Sequence, residues 1–431
     1  MKKNKYDAII VGSGAGGAPV AAKLAKKGLK VLILEAGNHV NGSDLGKFIP
    51  MVFTSAHYSK WAAFNMSKEL TTVYRSVNVG GTTVIACANM VRACEKEFGG
   101  IGIDLVSHYE EAEKFMNITP VPDKKIIGGT KLIVESARKM GVNMIPMPKG
   151  IDPEKKCDVC GNCVLGCHTD YKWDSRSYLA EARMHNAKLI TSTKVKRALS
   201  HPNGVFYGVE TSKGEKFYAN MIIISAGALA TPVILQNSGV DAGNKLFIDP
   251  FNVTSGVIKA KKVTQLKGAS MGAVCTDFHD SDGFILSPFM DHWSQFLLWN
   301  SPLWNLWHRF PIRRTVSIMT KITDENIGRV YRDGSFSKKL TDQDKCRLAA
   351  GASISGEILE AAGAKGIITT KQARGAHPGG SAAIGDVIDE NLKVYGAEGL
   401  YVCDASIFPF TPGKPPILDI TAFGLRLGDY L

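Results

Sequence analysis

YDAIIVGSGAGG, residues 6–17, is the stretch that decides the fold. Tyr6 to Val11 form a short, largely apolar run bounded by polar residues, the pattern of a strand buried in a parallel sheet. Gly12, Gly14 and Gly17 follow in G-x-G-x-x-G register. A helix-compatible stretch then runs from about Ala15 to Lys27 and stops at Gly28, and the next apolar run, KVLILE, ends on Glu35, 23 residues after Gly12. Each position has a physical task. Gly12 permits a tight turn, Gly14 lets the backbone approach a pyrophosphate, and Gly17 lets helix and strand pack closely. Glu35 can accept hydrogen bonds from both ribose hydroxyls of an adenosine and would repel a 2′-phosphate. Strand, turn, helix, strand and acid in this order predict a dinucleotide-binding unit.

The far end of the chain narrows the choice between FAD and NAD. GLYVCDAS (residues 399–406) reads as a strand ending in an acid, followed by PFTPGKPP and the helix-like ILDITAFGLRLGDYL (residues 417–431). A last strand that returns with an acid beside the first glycine loop points to FAD. Asp404 is then expected to hold the ribityl chain or pyrophosphate, directly or through water.

Composition bounds the rest. With 431 residues, 45% hydrophobic and 21% charged, the chain has core-forming sequence for two or three domains. Disorder, collagen-like repetition and a small disulfide scaffold are excluded. The net charge of +12 is spread along the chain, so it reads as solubilising surface in preference to a site for an anionic partner, and no nucleic-acid partner is expected. No stretch reaches the roughly 20 uninterrupted apolar residues of a membrane span. The basic tip MKKNK before the first apolar run looks superficially like a signal peptide, yet it leads into the glycine turn without a small-residue cleavage site. Nine cysteines, four of them within eleven residues, point to metal binding in a reducing compartment, and the expected location is the cytoplasm.

Five ordered blocks carry a resemblance that extends over most of the chain: GSGAGG…LEAG, VGGTTVIACANMVR (residues 79–92), MIIISAGALATPVILQNSG (residues 221–239), GAHPGGSAAIG (residues 375–385) and VYGAEGLYVCDASIFP (residues 394–409). Together they resemble the glucose–methanol–choline (GMC) oxidoreductases. The resemblance implies an α/β chain, α+β overall, with a Rossmann-like FAD-binding domain and a second, substrate domain built on an antiparallel sheet. The FAD domain is then assembled from residues 1–100, 186–248 and 371–431. Residues 101–185 form a connecting segment that carries a cysteine loop at 157–167, and residues 249–370 form the substrate domain. By position, Gly80, Gly81 and Thr82 are expected against the flavin and its phosphates, and the backbone of Val195 against the adenine. Ala226 and Gly227 line the nucleotide, with Asp404 and Ala405 on the pyrophosphate side.

His377, in HPGG, falls where the family carries its active-site histidine. An imidazole with a pKa near neutrality can take the hydroxyl proton of an alcohol while hydride leaves the carbinol carbon for the flavin. The family's second polar residue, His or Asn about forty residues later, is replaced here by Pro415, in PPILDI. Thr411, Lys414 and Asp419 are the nearby polar side chains that could stand in, and reduction of a C=C or C=O bond stays open as the reverse chemistry.

Cys157, Cys160, Cys163 and Cys167 give C-x2-C-x2-C-x3-C, the bacterial ferredoxin spacing for a [4Fe–4S] cluster, with Gly161 and Gly166 to curl the backbone. So compact a quartet argues against zinc. The fourth ligand can instead be remote, with Cys87, Cys94, Cys275, Cys346 and Cys403 available, and a plain structural loop is the other reading. A cluster implies electron exchange with a carrier protein or a quinone. It also leaves room for a reductase driven by a ferredoxin-type donor, or for a flavin and iron–sulfur transfer subunit of a larger complex. Finally, residues 284–314 hold Trp293, Trp299, Trp304 and Trp307 and end on Arg309, Arg313 and Arg314. They read as the wall of a pocket for an apolar or bulky small molecule, as a peripheral contact with the inner face of a membrane, or as ordinary core and loop.

Overall fold

A computed structural model describes residues 5–40, 65–151, 157–167, 169–259, 263–291 and 312–431. The opening motif forms β1 (Lys5–Val11), α1 (Gly17–Lys26) and β2 (Val31–Leu34). The strands β3 (Lys188–Ile190), β4 (Val195–Ser200), β5 (Phe206–Thr211) and β6 (Lys216–Ile224) complete the path β3-β2-β1-β6-β5-β4, and a seventh strand, Leu400–Val402, pairs with β6. Pairing is parallel from β3 through β6 and on to Leu400–Val402, whereas β4 and β5 join antiparallel. A parallel sheet is covered on both faces, which is why Ala8, Ile9, Ile10, Leu32, Ile33 and Ile222 to Ile224 have no exposed surface.

Glycines set the contacts at the carboxyl ends of these strands. Gly12 has φ +103°, and a Cβ there would lie 2.2 Å from Ser225 O; at Gly16 it would lie 1.9 Å from Cys403 O, and at Gly17 2.4 Å from Gly12 O. The ends of β1, β6 and Leu400–Val402 therefore meet backbone to backbone, although hundreds of residues separate them in sequence.

A second seven-stranded sheet carries β7 (Pro250–Ile258), β8 (Phe284–Pro288) and β9 (Thr315–Ile322), antiparallel in the order β8-β9-β7. Ala364–Thr369 pairs with β7 off the path, which continues through Arg374–Gly375 to two short strands at residues 65–73. The helix α2 (Asp342–Ala361) starts with a capping box, in which Thr341 accepts from Asp344 N–H and the Asp344 carboxylate accepts from Thr341 N–H. It packs on one face of this sheet, where Gly351 lies against Thr320 and Phe284. The last helix, α3 (Ile417–Tyr430), returns to α1. Among the described residues no helix is long and apolar enough to cross a membrane.

Candidate active site

The dinucleotide cradle is built at the carboxyl end of the first sheet. Glu35, at the end of β2, accepts from Ser13 N–H (3.1 Å), Ser13 Oγ (2.6 Å) and Gly37 N–H (2.8 Å). Burial pushes its carboxyl above the usual range against these donors. Ser13 Oγ in turn accepts from Gly80 N–H, and Ser175 Oγ donates towards Ser13 O and Gly80 O, both 2.9 Å away, so the 79–92 loop is pinned over the first glycine turn. Gly81 faces Gly14, and its Cβ would come within 3.2 Å of Gly14 Cα. Thr82 Oγ1 accepts from Ser76 N–H.

Against these packed positions, a Cβ on Gly14 or Gly227 would meet nothing within 4 Å. Arg75 Nε, Asn78 Oδ1 and Ser225 Oγ, on the segments that border the cradle, are buried and have no hydrogen-bond partner among the described residues. Open backbone at two glycines and orphaned polar atoms beside them fit a dinucleotide. Asp404 is committed elsewhere: its carboxylate accepts from Gly227 N–H (2.8 Å), Thr231 Oγ1 (2.5 Å) and Ser406 N–H (2.8 Å). It ties the Ala226–Gly227 turn to the Asp404–Ala405 turn, and the backbone is what these two turns present. Val195 opens β4 and is buried.

His377 follows the Arg374–Gly375 strand, and its N–H donates to Ile248 O (3.2 Å). The imidazole Nδ1 lies 3.0 Å from Asp249 Oδ2, and Lys321 Nζ lies 3.2 Å from Nδ1 and 3.3 Å from Nε2. No sequence motif announced Asp249 or Lys321. A lysine inside β9, a strand with all eight residues buried, is the one signal that was present, because lysine is almost never fully buried unless it is paired.

Asp249 precedes β7 with φ +45°, and Lys321 on β9 stands opposite Phe251 on β7. A dense support holds this acid. Asp249 Oδ1 accepts from Gly413 N–H (3.1 Å), and Asp249 N–H donates to Asp324, whose carboxylate pairs with Lys338 at 2.9 Å, both fully buried. Burial pushes the Asp324 carboxyl up to about 6, against the Lys338 charge.

At the centre, burial pushes the Asp249 carboxyl up and brings the Lys321 amine down to about 8, while each charge opposes the other's shift. The His377 imidazole is held well below its usual value, by burial and then by the Lys321 ammonium. An ionised Asp249, a protonated Lys321 and a neutral imidazole would together carry no net charge. The carboxylate can only accept, so it fixes the proton on Nδ1 and leaves the Nε2 lone pair for a substrate.

Two of the three stand-ins for the side chain missing at Pro415 are bonded elsewhere. Thr411 Oγ1 donates to Asp324 O (2.7 Å). Asp419 accepts from Ala93 N–H, Cys94 N–H and Tyr109 Oη. For Lys414 no hydrogen bond among the described residues is found.

Cys157, Cys160, Cys163 and Cys167 are free and half-buried on a loop docked by Gly268 N–H to Val159 O (2.7 Å). Cys163 packs in one apolar cluster with Cys87, Phe251, Met271, Met319 and Ala376, next to His377. Of the remote cysteines, Cys87 alone joins this cluster. Cys167 Sγ lies instead 3.2 Å from Thr169 Oγ1. Among the described residues no three His, Cys, Asp or Glu side chains gather to hold a metal ion. The four tryptophans and Arg309 lie outside the described residues, whereas Arg313 and Arg314 sit in a short 3-10 turn before β9.

Comparison with known proteins agrees with this geometry. A GMC oxidoreductase family model matches residues 6–251, and a second one matches residues 317–424. An uncharacterized protein of Methanocaldococcus jannaschii is 31% identical over 98% of each chain. The long-chain-alcohol oxidase FAO3 of Arabidopsis thaliana is 25% identical over 96% of this chain and 66% of its own length. Among solved structures, formate oxidase of Aspergillus oryzae RIB40 superposes with a TM-score of 0.75 at 16% identity, covering 100% of this chain and 98% of that one. Pyridoxine 4-oxidase of Mesorbium loti gives 0.72 at 15% identity, over 99% of each. The chain thus belongs to the GMC oxidoreductase family and is an FAD-dependent oxidoreductase.

Proposed function

We propose that this enzyme is a dehydrogenase that oxidises the CH–OH group of an apolar or bulky alcohol. The observation that carries the proposal is the His377–Asp249 contact, which leaves the Nε2 lone pair for the hydroxyl proton. The cradle at Gly12, Gly14, Glu35, Gly80, Gly81 and Gly227 would hold FAD, which would supply the hydride acceptor. His377 takes the proton, Asp249 keeps the ring in one tautomer, and the Phe251–Met271–Met319 cluster excludes water. The long-chain-alcohol relatives support the same class. Anaerobic mixing with a panel of primary alkanols tests the reading: the flavin bleaches in the wild type and not in His377→Ala. Bleaching that survives His377→Ala, or none with any alcohol, refutes it.

We further propose that the 157–167 loop carries a [4Fe–4S] cluster and that electrons leave to a carrier protein or a quinone. The ferredoxin spacing and the packing of Cys163 beside the flavin loop support this. The thiols are not gathered on one point, so no step of the chemistry above is routed through iron. Iron and flavin counted per chain in anaerobically purified protein, with its EPR spectrum, decide the matter. Flavin with no iron refutes the cluster and leaves the alcohol reading intact.

A further inference from the structure

Lys321 has an environment that a structural ion pair does not explain. Its side chain is 2% exposed, and among the described residues its hydrogen-bond contacts are the two ring nitrogens of His377. An amine almost equidistant from both nitrogens cannot lie on the lone-pair axis of either, since in the ring plane it would collide with Cε1, so it stands over the face of the ring and leaves the in-plane Nε2 lone pair open. An ammonium has three donors, and the ring can satisfy at most one of them. The others remain for whatever approaches Nε2. The polar residue missing at Pro415 is replaced by neither Thr411 nor Asp419, since both are bonded into the scaffold. Gly413, two residues before that proline, is bonded to the same Asp249 that holds His377.

We propose that Lys321 is a second catalytic group, holding through its ammonium the substrate oxygen that His377 deprotonates. The inference rests on the alcohol reading for its direction. In the step, the O–H bond breaks and its proton goes to Nε2 of His377. The electron pair left on oxygen forms the C=O bond, and the C–H bond gives its pair as hydride to the flavin. The carbinol carbon is oxidised and the flavin reduced, while Lys321 keeps its proton and stabilises the oxyanion throughout. A positive charge here, in place of a neutral amide or imidazole, also keeps His377 unprotonated and ready as the base. Among the described residues the titratable groups around His377 and Lys321 are Asp249 and the Cys87 thiol, with the Asp324–Lys338 pair behind Asp249.

The test uses decanoate, whose carboxylate imitates the oxyanion, titrated into the flavin-loaded enzyme and read by the visible difference spectrum of the flavin. Lys321→Met is expected to weaken binding roughly 10- to 100-fold, the range for losing one charge-assisted hydrogen bond. Wild-type binding should fall as pH rises through about 8, where Lys321 loses its proton, and Lys321→Arg should hold it constant to above pH 9. The ring ¹⁵N resonances of His377 provide a readout that needs no substrate: the imidazole should protonate at higher pH in Lys321→Met than in the wild type. Equal decanoate affinity in Lys321→Met, or the same alkaline fall in Lys321→Arg, overturns the proposal. If Lys321→Met fails to fold, Lys321→Arg alone decides. Lysine-dependent decanoate binding with no bleaching by any alcohol would leave the oxyanion grip standing and sink the alcohol reading instead.

Discussion

Gly14 and Gly16 are two residues apart in one turn, yet alanine at each should fail in a different way. At Gly16 the new methyl carbon would sit 1.9 Å from Cys403 O, 2.7 Å from Cys403 C and 3.3 Å from Asp404 Cα. Normal contact is about 3.4 Å, so the Leu400–Val402 strand end or α1 must move by more than 1 Å, and no flexible side chain can absorb the shift. Overpacking of this kind costs about 1–3 kcal/mol. At Gly14 nothing lies within 4 Å and φ is not positive, so the FAD-free protein should unfold within about 0.5 kcal/mol of the wild type. Its methyl would instead occupy the space reserved for the pyrophosphate. A loss of at least about 100-fold in FAD affinity, close to 2.7 kcal/mol, is expected. Urea unfolding of the FAD-free protein followed by circular dichroism, and FAD titration followed by quenching of flavin fluorescence, separate the two. An intact Gly14→Ala protein that binds FAD like the wild type would refute the cradle, because the cofactor would then not approach the turn that the motif assigns to it.

Asp249→Asn should leave a yellow, folded protein whose flavin is bleached by alcohol roughly 10²–10⁴-fold more slowly in stopped-flow, since the ring loses its fixed tautomer. Lys338→Met strands Asp324 as a fully buried charge without its partner, and urea unfolding should show a loss of about 3–5 kcal/mol. Asp419 is pushed by burial from 3.8 up to about 6. The folded state then binds more protons than the unfolded one between about pH 4 and pH 6, so this group's contribution to stability falls as pH rises through that window and is level above it. The cost is about 3 kcal/mol, and the pH slope of stability should lose that component in Asp419→Asn. Asp291→Ala removes both carboxylate oxygens from Arg374, which they hold at 2.8 and 2.9 Å with neither side chain more than 1% exposed, and should destabilise by a similar 3–5 kcal/mol in the same assay.

What could be read in the sequence was what is written locally. The strand, glycine turn and helix of residues 5–26 lie within one continuous stretch, and their spacing alone defines them. His377 and the four clustered cysteines were visible because each sits in a short pattern of unusual residues. Asp404 was found, but the partners of its carboxylate were not, since Thr231 and Gly227 come from a turn 173 and 177 residues away. The partners of His377 were hidden for the same reason. Asp249 and Lys321 lie 128 and 56 residues from it and carry no local signature.

Their meeting is a consequence of strand register, and that gives it a definite structural cause. Residues on a strand alternate between the two faces of the sheet, so the position of Lys321 is settled by its neighbour. Thr320 faces α2, where it touches Gly351 and lies 3.3 Å from Ser355 Oγ. Lys321 must then point to the opposite face, towards His377, while its pairing with Phe251 fixes its height along β7, two residues from Asp249. A slip of one residue between β7 and β9 would exchange the faces, placing the lysine under the helix and the threonine against the imidazole. The close contact of Gly351 with Thr320 disfavours that slip, since the helix lies so near the sheet there that a longer side chain in place of Thr320 would have to displace it. The glycine in the middle of α2, unfavourable for a helix by about 1 kcal/mol, thus favours the register that places Lys321 beside His377.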